Sequence, residues 1–190
     1  MATRAEIVAR AYACIDEAYP DGLDQTDAAA FRVEAFVDEA IRFVGLMAPV
    51  HALGKGDDFH ENSDLGGSIE LPDGFVRLIS FKKTDWARAV TKAYYQDSPL
   101  YAQQQNPVLR GSKHRPKVFI CNGGSTLEYY SGEGSIETAL AFVVSDSLEY
   151  PEVLADAIAW KAAELVLSMM NDAQGVQFAQ AQLQQIMQAL

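Results

Sequence analysis

Cysteine is scarce in this chain: of 190 residues only Cys14 and Cys121 carry thiols, one within a helical pattern and one within a strand pattern. Two distant thiols specify neither a disulfide framework nor a zinc knuckle, and both read as small buried hydrophobes. Histidine is nearly as rare, at three residues. Neither the HExxH spacing nor a calcium loop with alternating oxygen ligands and a closing Glu is present. Long apolar runs are missing too. No window approaches the roughly 18 uncharged apolar residues of a membrane span, and Met1 to Glu6 lack the basic-then-apolar order of a secretory leader. A soluble protein with no membrane partner, not exported by the usual signal, is therefore expected. No grouping of nucleophile, base and oxyanion donor can be found, so the chain is expected not to be an enzyme and to use no metal or cofactor.

Apolar residues make up 49% of the chain, enough for a real core, which excludes global disorder. The net charge of −11 is unevenly spread: residues 1–71 hold 5 basic and 14 acidic side chains, residues 72–117 hold 9 and 3, and residues 118–190 hold 1 and 9. A basic island thus sits in an acidic protein. Two readings stand for it: a solvated loop surface, or a docking segment that meets a negative surface on a neighbour.

Two amphipathic helices open the chain. Thr3 with Glu6 forms a capping box, followed by Ile7, Ala11, Cys14 and Ile15 on one face and ended by Tyr19 to Gly22. A second helix starts after Thr26 or Asp27 and carries Val33, Val37, Ala40, Ile41, Val44 and Met47 until Pro49 stops it. Phe36 and Phe43 lie about 80 to 100 degrees off that stripe, which predicts a second buried face. Residues 54–67 are rich in Gly, Asp and Asn and read as an exposed loop. Asp57, Asp58, His60 and Glu61, with His51 nearby, have no metal-cage spacing.

The middle of the chain is rich in strands. Ser68 to Leu71 and Phe75 to Phe81 read as strands joined by the turn Leu71-Pro72-Asp73-Gly74, Val90 to Tyr95 as a hairpin extension, and Ser98-Pro99 as the start of a short helix broken by Asn106-Pro107. Arg110 to Lys117 is a basic arm without interleaved Phe or Tyr, a weak nucleic-acid signal. Val118 to Cys121, Leu127 to Tyr130 and Ala139 to Val144 are expected to form an antiparallel meander with turns at Asn122-Gly123-Gly124 and Ser131 to Ser135. Gly123-Gly124-Ser125-Thr126 lacks the Lys and the following helix of a phosphate loop.

Two helices close the chain. From Pro151 to about Asn171 apolar residues leave almost no polar stripe, so this helix calls for central burial or a subunit interface. The last, after Gly175, repeats Val176, Ala179, Leu183, Ile186 or Met187, and Leu190, like a coiled-coil seam, with glutamines on its other face. Those glutamines are either a solvated polar face or an uncharged surface that hydrogen-bonds a partner. The expected class is α+β: a helical bundle from residues 1–53 and 150–190, with a β-rich insertion over residues 54–149 that carries exposed loops. Arg110, Lys113, Arg115, Lys117, Trp160, Gln177, Leu183 and Met187 are the candidate inter-subunit docking residues.

In order, the helix pair, the acidic loop, LPDGFVRLISF (Leu71 to Phe81), Trp86, SPLYAQQQNPVLRG (Ser98 to Gly111), LEYYS (Leu127 to Ser131) and YPEVLADAIAWKAAELVLSMMNDAQG (Tyr150 to Gly175) span nearly the whole chain. This order resembles the head-to-tail connector proteins of tailed bacteriophages, in particular the adaptor or tail-tubular proteins of short-tailed phages and the ring proteins of crAss-like phages. The resemblance implies a structural virion protein in the neck or tail, assembled in the host cytoplasm. Such proteins form homo-oligomeric rings, usually of twelve copies, that bind the portal protein and neighbouring tail or ring proteins. They extend the channel through which genomic DNA passes without sequence-specific binding. An acidic wall suits a conduit, because one that attracted phosphates strongly would retard the DNA. Two rival classes remain: an adaptor with added cell-wall hydrolase activity, for which Glu128 and Glu133 are the carboxylates to consider, and a cellular ligand-binding module using Tyr94, Tyr95, Tyr129 and Tyr130.

Overall fold

The computed structural model describes residues 1–18, 33–62, 67–106, 108–129 and 133–190. Its fold is α+β, in two compact units: Met1–Gly54 with Val144–Leu190, and Lys55–Val143. The expected helix end at Tyr19 to Gly22 and the start at Thr26 or Asp27 lie outside the described residues.

The first unit is helical: α1 (Arg4–Ala18), α2 (Glu34–Met47), α3 (Glu152–Met169) and α4 (Ala173–Ala189). The capping box forms as the spacing predicts, with Thr3 N–H donating to Glu6 Oε2 at 2.8 Å and Glu6 N–H donating to Thr3 Oγ1 at 3.3 Å. Helix α3 packs against α1, α2 and α4, which resolves its all-round hydrophobicity as central burial within its own unit. Ala155, Ala157, Ala159, Ala162 and Ala163 are all fully buried there. Small side chains on every flank let three helices approach at once, which bulkier ones would prevent.

The α3–α4 turn is built from local chemistry. Asn171, at a φ of 58°, takes the left-handed position that ends α3, with Asp172 N–H donating to the Leu167 carbonyl at 3.0 Å and Asn171 N–H to the Ser168 carbonyl at 3.1 Å. Asp172 then caps α4, its carboxylate accepting from the backbone N–H of Gln174 and Gly175 at 3.2 and 2.8 Å. The last helix therefore starts before Gly175 rather than after it. A Cβ on Gly175 would collide with the Asp172 carboxylate and press on Leu167 Cδ2 at 3.2 Å, so the cap requires the bare backbone.

Burial corrects three helix expectations. Met47 is 64% exposed rather than part of the core stripe, whereas Val33, Val37, Ala40, Ile41 and Val44 are fully buried. Among the described residues the second face of α2 is only partly covered: Phe36 is half-buried and Phe43 is 41% exposed. Cys14 is half-buried rather than buried, while Cys121 is buried.

The second unit holds two sheets. Strands β1 (Asp57–Asp58), β2 (Ser68–Glu70), β3 (Phe75–Lys83), β4 (Tyr94–Tyr95), β5 (Val118–Cys121), β6 (Thr126–Tyr129) and β7 (Ile136–Val143) arrange as β1-β7-β3 and β2-β6-β5-β4. The expected three-strand meander is therefore overturned: β5 and β6 form a hairpin through Asn122 to Gly124, but β7 pairs antiparallel with β3. Both edges of β6 are taken, by β2 and β5, so the backbone groups of β7 are met by the nine-residue β3 instead. The acidic loop is also more ordered than expected. Asp57 and Asp58 pair with Ala141 and Leu140, and Phe59 is buried. Its residues 63–66, like Tyr130 and the first two residues of the expected turn Ser131 to Ser135, lie outside the described residues. Phe81, Trp86 and Tyr129 meet as an aromatic cluster, with Phe81 and Tyr129 ring centres 5.1 Å apart.

Candidate functional site

The basic island folds into a cation-lined groove. Val90 does not lengthen a hairpin through Tyr95: it bridges Phe81 on β3, while Tyr94 and Tyr95 pair parallel to Phe119 and Ile120 of β5. Arg88 and Lys92, on either side of Val90, are thereby brought beside Arg115 and Lys117 of the basic arm. The arm folds back through a Ser112–Arg115 bridge and is held in place by Ala87 N–H donating to the Lys113 carbonyl at 2.9 Å. Gly111 N–H donates to Gln104 Oε1 at 2.9 Å, and Lys117 Nζ donates to the Leu109 carbonyl at 3.0 Å. These bonds hold segments distant in the chain as one surface.

Two adjoining concavities result. One, of about 440 Å³, is lined by Arg88, Lys92, Tyr94, Arg115 and Lys117 among others, and the second, of about 360 Å³, by Arg110, Arg115 and Lys117 with Gln103, Val108 and Leu109. Arg115 and Lys117 belong to both. Among the described lining residues there is no carboxylate, imidazole or thiol, and the cations suit the groove to binding anions. The arm itself carries no Phe or Tyr, as read, but outside it Lys92 Nζ stands 5.6 Å from the centre of the Tyr94 ring, so an aromatic joins the cations of the groove.

Of the expected docking residues, Arg110, Lys113 and Arg115 are exposed and Lys117 is half-buried; all but the Lys113 side chain line the groove. The others lie in the helical unit. Trp160 and Leu183 are only 8% exposed, Trp160 packing edge-on against Phe178 at 5.7 Å, so both spend their surface inside their own unit. Gln177 is exposed and Met187 half-buried. Reading the chain in one dimension missed Arg88 and Lys92. Their signal was membership of the same basic island, hidden by the expectation of a plain hairpin there.

The carboxylates proposed for sugar chemistry have other surroundings. Glu128 is half-buried and its Oε2 accepts a 2.9 Å hydrogen bond from the Tyr101 hydroxyl, while Glu133 is exposed. That bond, reinforced by burial, pushes the Tyr101 hydroxyl up to about 12; burial and the same carboxylate push the Cys121 thiol up to about 11. Of the tyrosine platform, Tyr129 is buried, Tyr94 half-buried and Tyr95 exposed; Tyr130 lies outside the described residues. Among the described residues, no group of three or more His, Cys, Asp or Glu is placed to hold a metal ion, and no helix is long and apolar enough to cross a membrane. No protein-family model matches the chain, and a search of the curated proteins returns no match.

Proposed function

We propose that this chain is a structural subunit of a bacteriophage connector ring, standing between portal and tail, lengthening the DNA channel and offering tail proteins a docking surface. One observation supports the reading beside the resemblance in sequence: the second flank of α2 is apolar and, among the described residues, only partly covered. Phe36, Phe43 and Met47 recur on that flank at the helical period, and Phe43, Leu46 and Met47 are 41%, 54% and 64% exposed. Isolated exposed apolar residues are ordinary, but an aligned row marks a surface that another chain covers. The central helix α3 is no part of this argument, since its own bundle hides it.

On this reading the protein is not an enzyme, resides in the virion neck or tail, and meets passing DNA without reading its sequence. Electron microscopy of the purified protein, alone and mixed with the portal of the same phage, tests it by counting copies around any axis. A closed ring seated on the portal is the expected result. A protein that never closes a ring, or that clears peptidoglycan in a zymogram, contradicts it.

A further inference from the structure

We propose that the cation-lined groove is a socket for a carboxylate-rich surface on the helical unit of a second copy of this chain, with Arg88 and Lys92 acting beside Arg115 and Lys117. The inference rests on the ring reading above and names the contact that closes the ring.

Charge complementarity selects the occupant. The helical unit, Met1–Gly54 with Val144–Leu190, contains 15 acidic and 5 basic residues. Three of those five cations are already ion-paired inside it: Arg4 with Asp38, Arg10 with Glu152 and Asp156, and Lys161 with Glu164. An acid surplus is left, and Asp16, Glu17 and Glu39 are among its exposed members. Each copy thus presents a positive concavity on one unit and a negative surface on the other. A heterologous contact that repeats around an axis needs two such unlike patches on every subunit.

Nucleic acid fits the same groove less well. Single strands are held by bases stacked on open aromatic faces, and Lys92 stands over the Tyr94 ring.

The test uses the full-length protein assembled on its portal. An equal mixture of isotopically light and heavy copies is coupled with a carbodiimide, which joins lysine amines to carboxylates in contact. Cross-links between light and heavy copies, from Lys92 or Lys117 to acidic residues within 1–54 or 144–190, are expected. In parallel, the Arg88→Glu/Lys92→Glu double variant should assemble about tenfold more weakly with unchanged circular dichroism, and Arg88→Lys/Lys92→Arg should assemble normally. Cross-links confined to single copies overturn the proposal, as does wild-type assembly by the double variant. So does a labelled single-stranded oligonucleotide that binds the wild type and not the double variant. A wild type that forms no ring removes the connector reading itself, an outcome separate from these.

Discussion

Lys161 holds its ammonium 4.3 Å from the centre of the Phe43 ring and 2.8 Å from Glu164 Oε2. Helix α3 therefore lays a charged side chain, not an apolar one, beside the second flank of α2. The Lys161 and Glu164 side chains are only 12% and 13% exposed, so their pair is largely desolvated. Lys161→Ala should lower stability by about 1 to 2 kcal/mol through loss of the ring contact and an uncompensated Glu164, read as a shift in urea midpoint.

The α3–α4 turn depends on one carboxylate held against one glycine. Asp172→Ala should cost about 0.5 to 2 kcal/mol in thermal or urea unfolding, and Asp172→Asn much less, since an amide oxygen still caps. Gly175→Ala should cost at least as much as Asp172→Ala, because the added methyl displaces the cap itself. An alanine at 175 that left stability unchanged would mean that α4 starts differently.

Acid should loosen the helical unit where Arg10 meets Glu152. Its guanidinium, with the amino terminus, holds the Glu152 carboxyl below the usual carboxylate range, and the Thr3 backbone N–H does the same for Glu6. A depressed folded pKa adds stability above the unfolded value and loses it as pH falls through the folded one. Urea midpoints taken from neutral pH down through the carboxylate range should fall more steeply for the wild type than for Glu152→Gln.

Alkali acts with the opposite sign at Tyr101. Its hydroxyl stays protonated to about 12 in the folded chain, while the unfolded chain ionises near the ordinary tyrosine value of 10.0, so this residue's contribution is complete below that value and disappears as pH rises toward 12. Tyrosinate absorbance during alkaline titration should show a late-ionising tyrosine in the wild type that moves to lower pH in Glu128→Gln.

Local chemistry was legible in the sequence and long-range partnership was not. Thr3 with Glu6, and Ser98 as the cap before Pro99, are contacts between residues two or three apart, and both form as read. The apolar run of α3 announced burial but left open whether its own bundle or another chain would supply the cover. The apolar run Ala139 to Val144 marked β7 as a strand without showing that β3, rather than β6, would be its partner. The groove was half visible: Arg110, Arg115 and Lys117 stand in one arm, but Arg88 and Lys92 join them only because β4 runs parallel to β5 and the Ala87–Lys113 bond ties the segments together. The α2 flank misled in the other direction. Helical period placed Phe36 and Phe43 on a second face correctly, yet no element of the described chain covers it fully.

Sedimentation of the protein with the portal that the proposed ring reading calls for, wild type against Phe43→Glu/Met47→Glu, asks most directly whether another copy hides the side of α2 that no described element covers fully. The account predicts that the double variant keeps its helical circular dichroism and fails to co-sediment as a ring. A variant that joins the portal in the same number of copies as the wild type would contradict it.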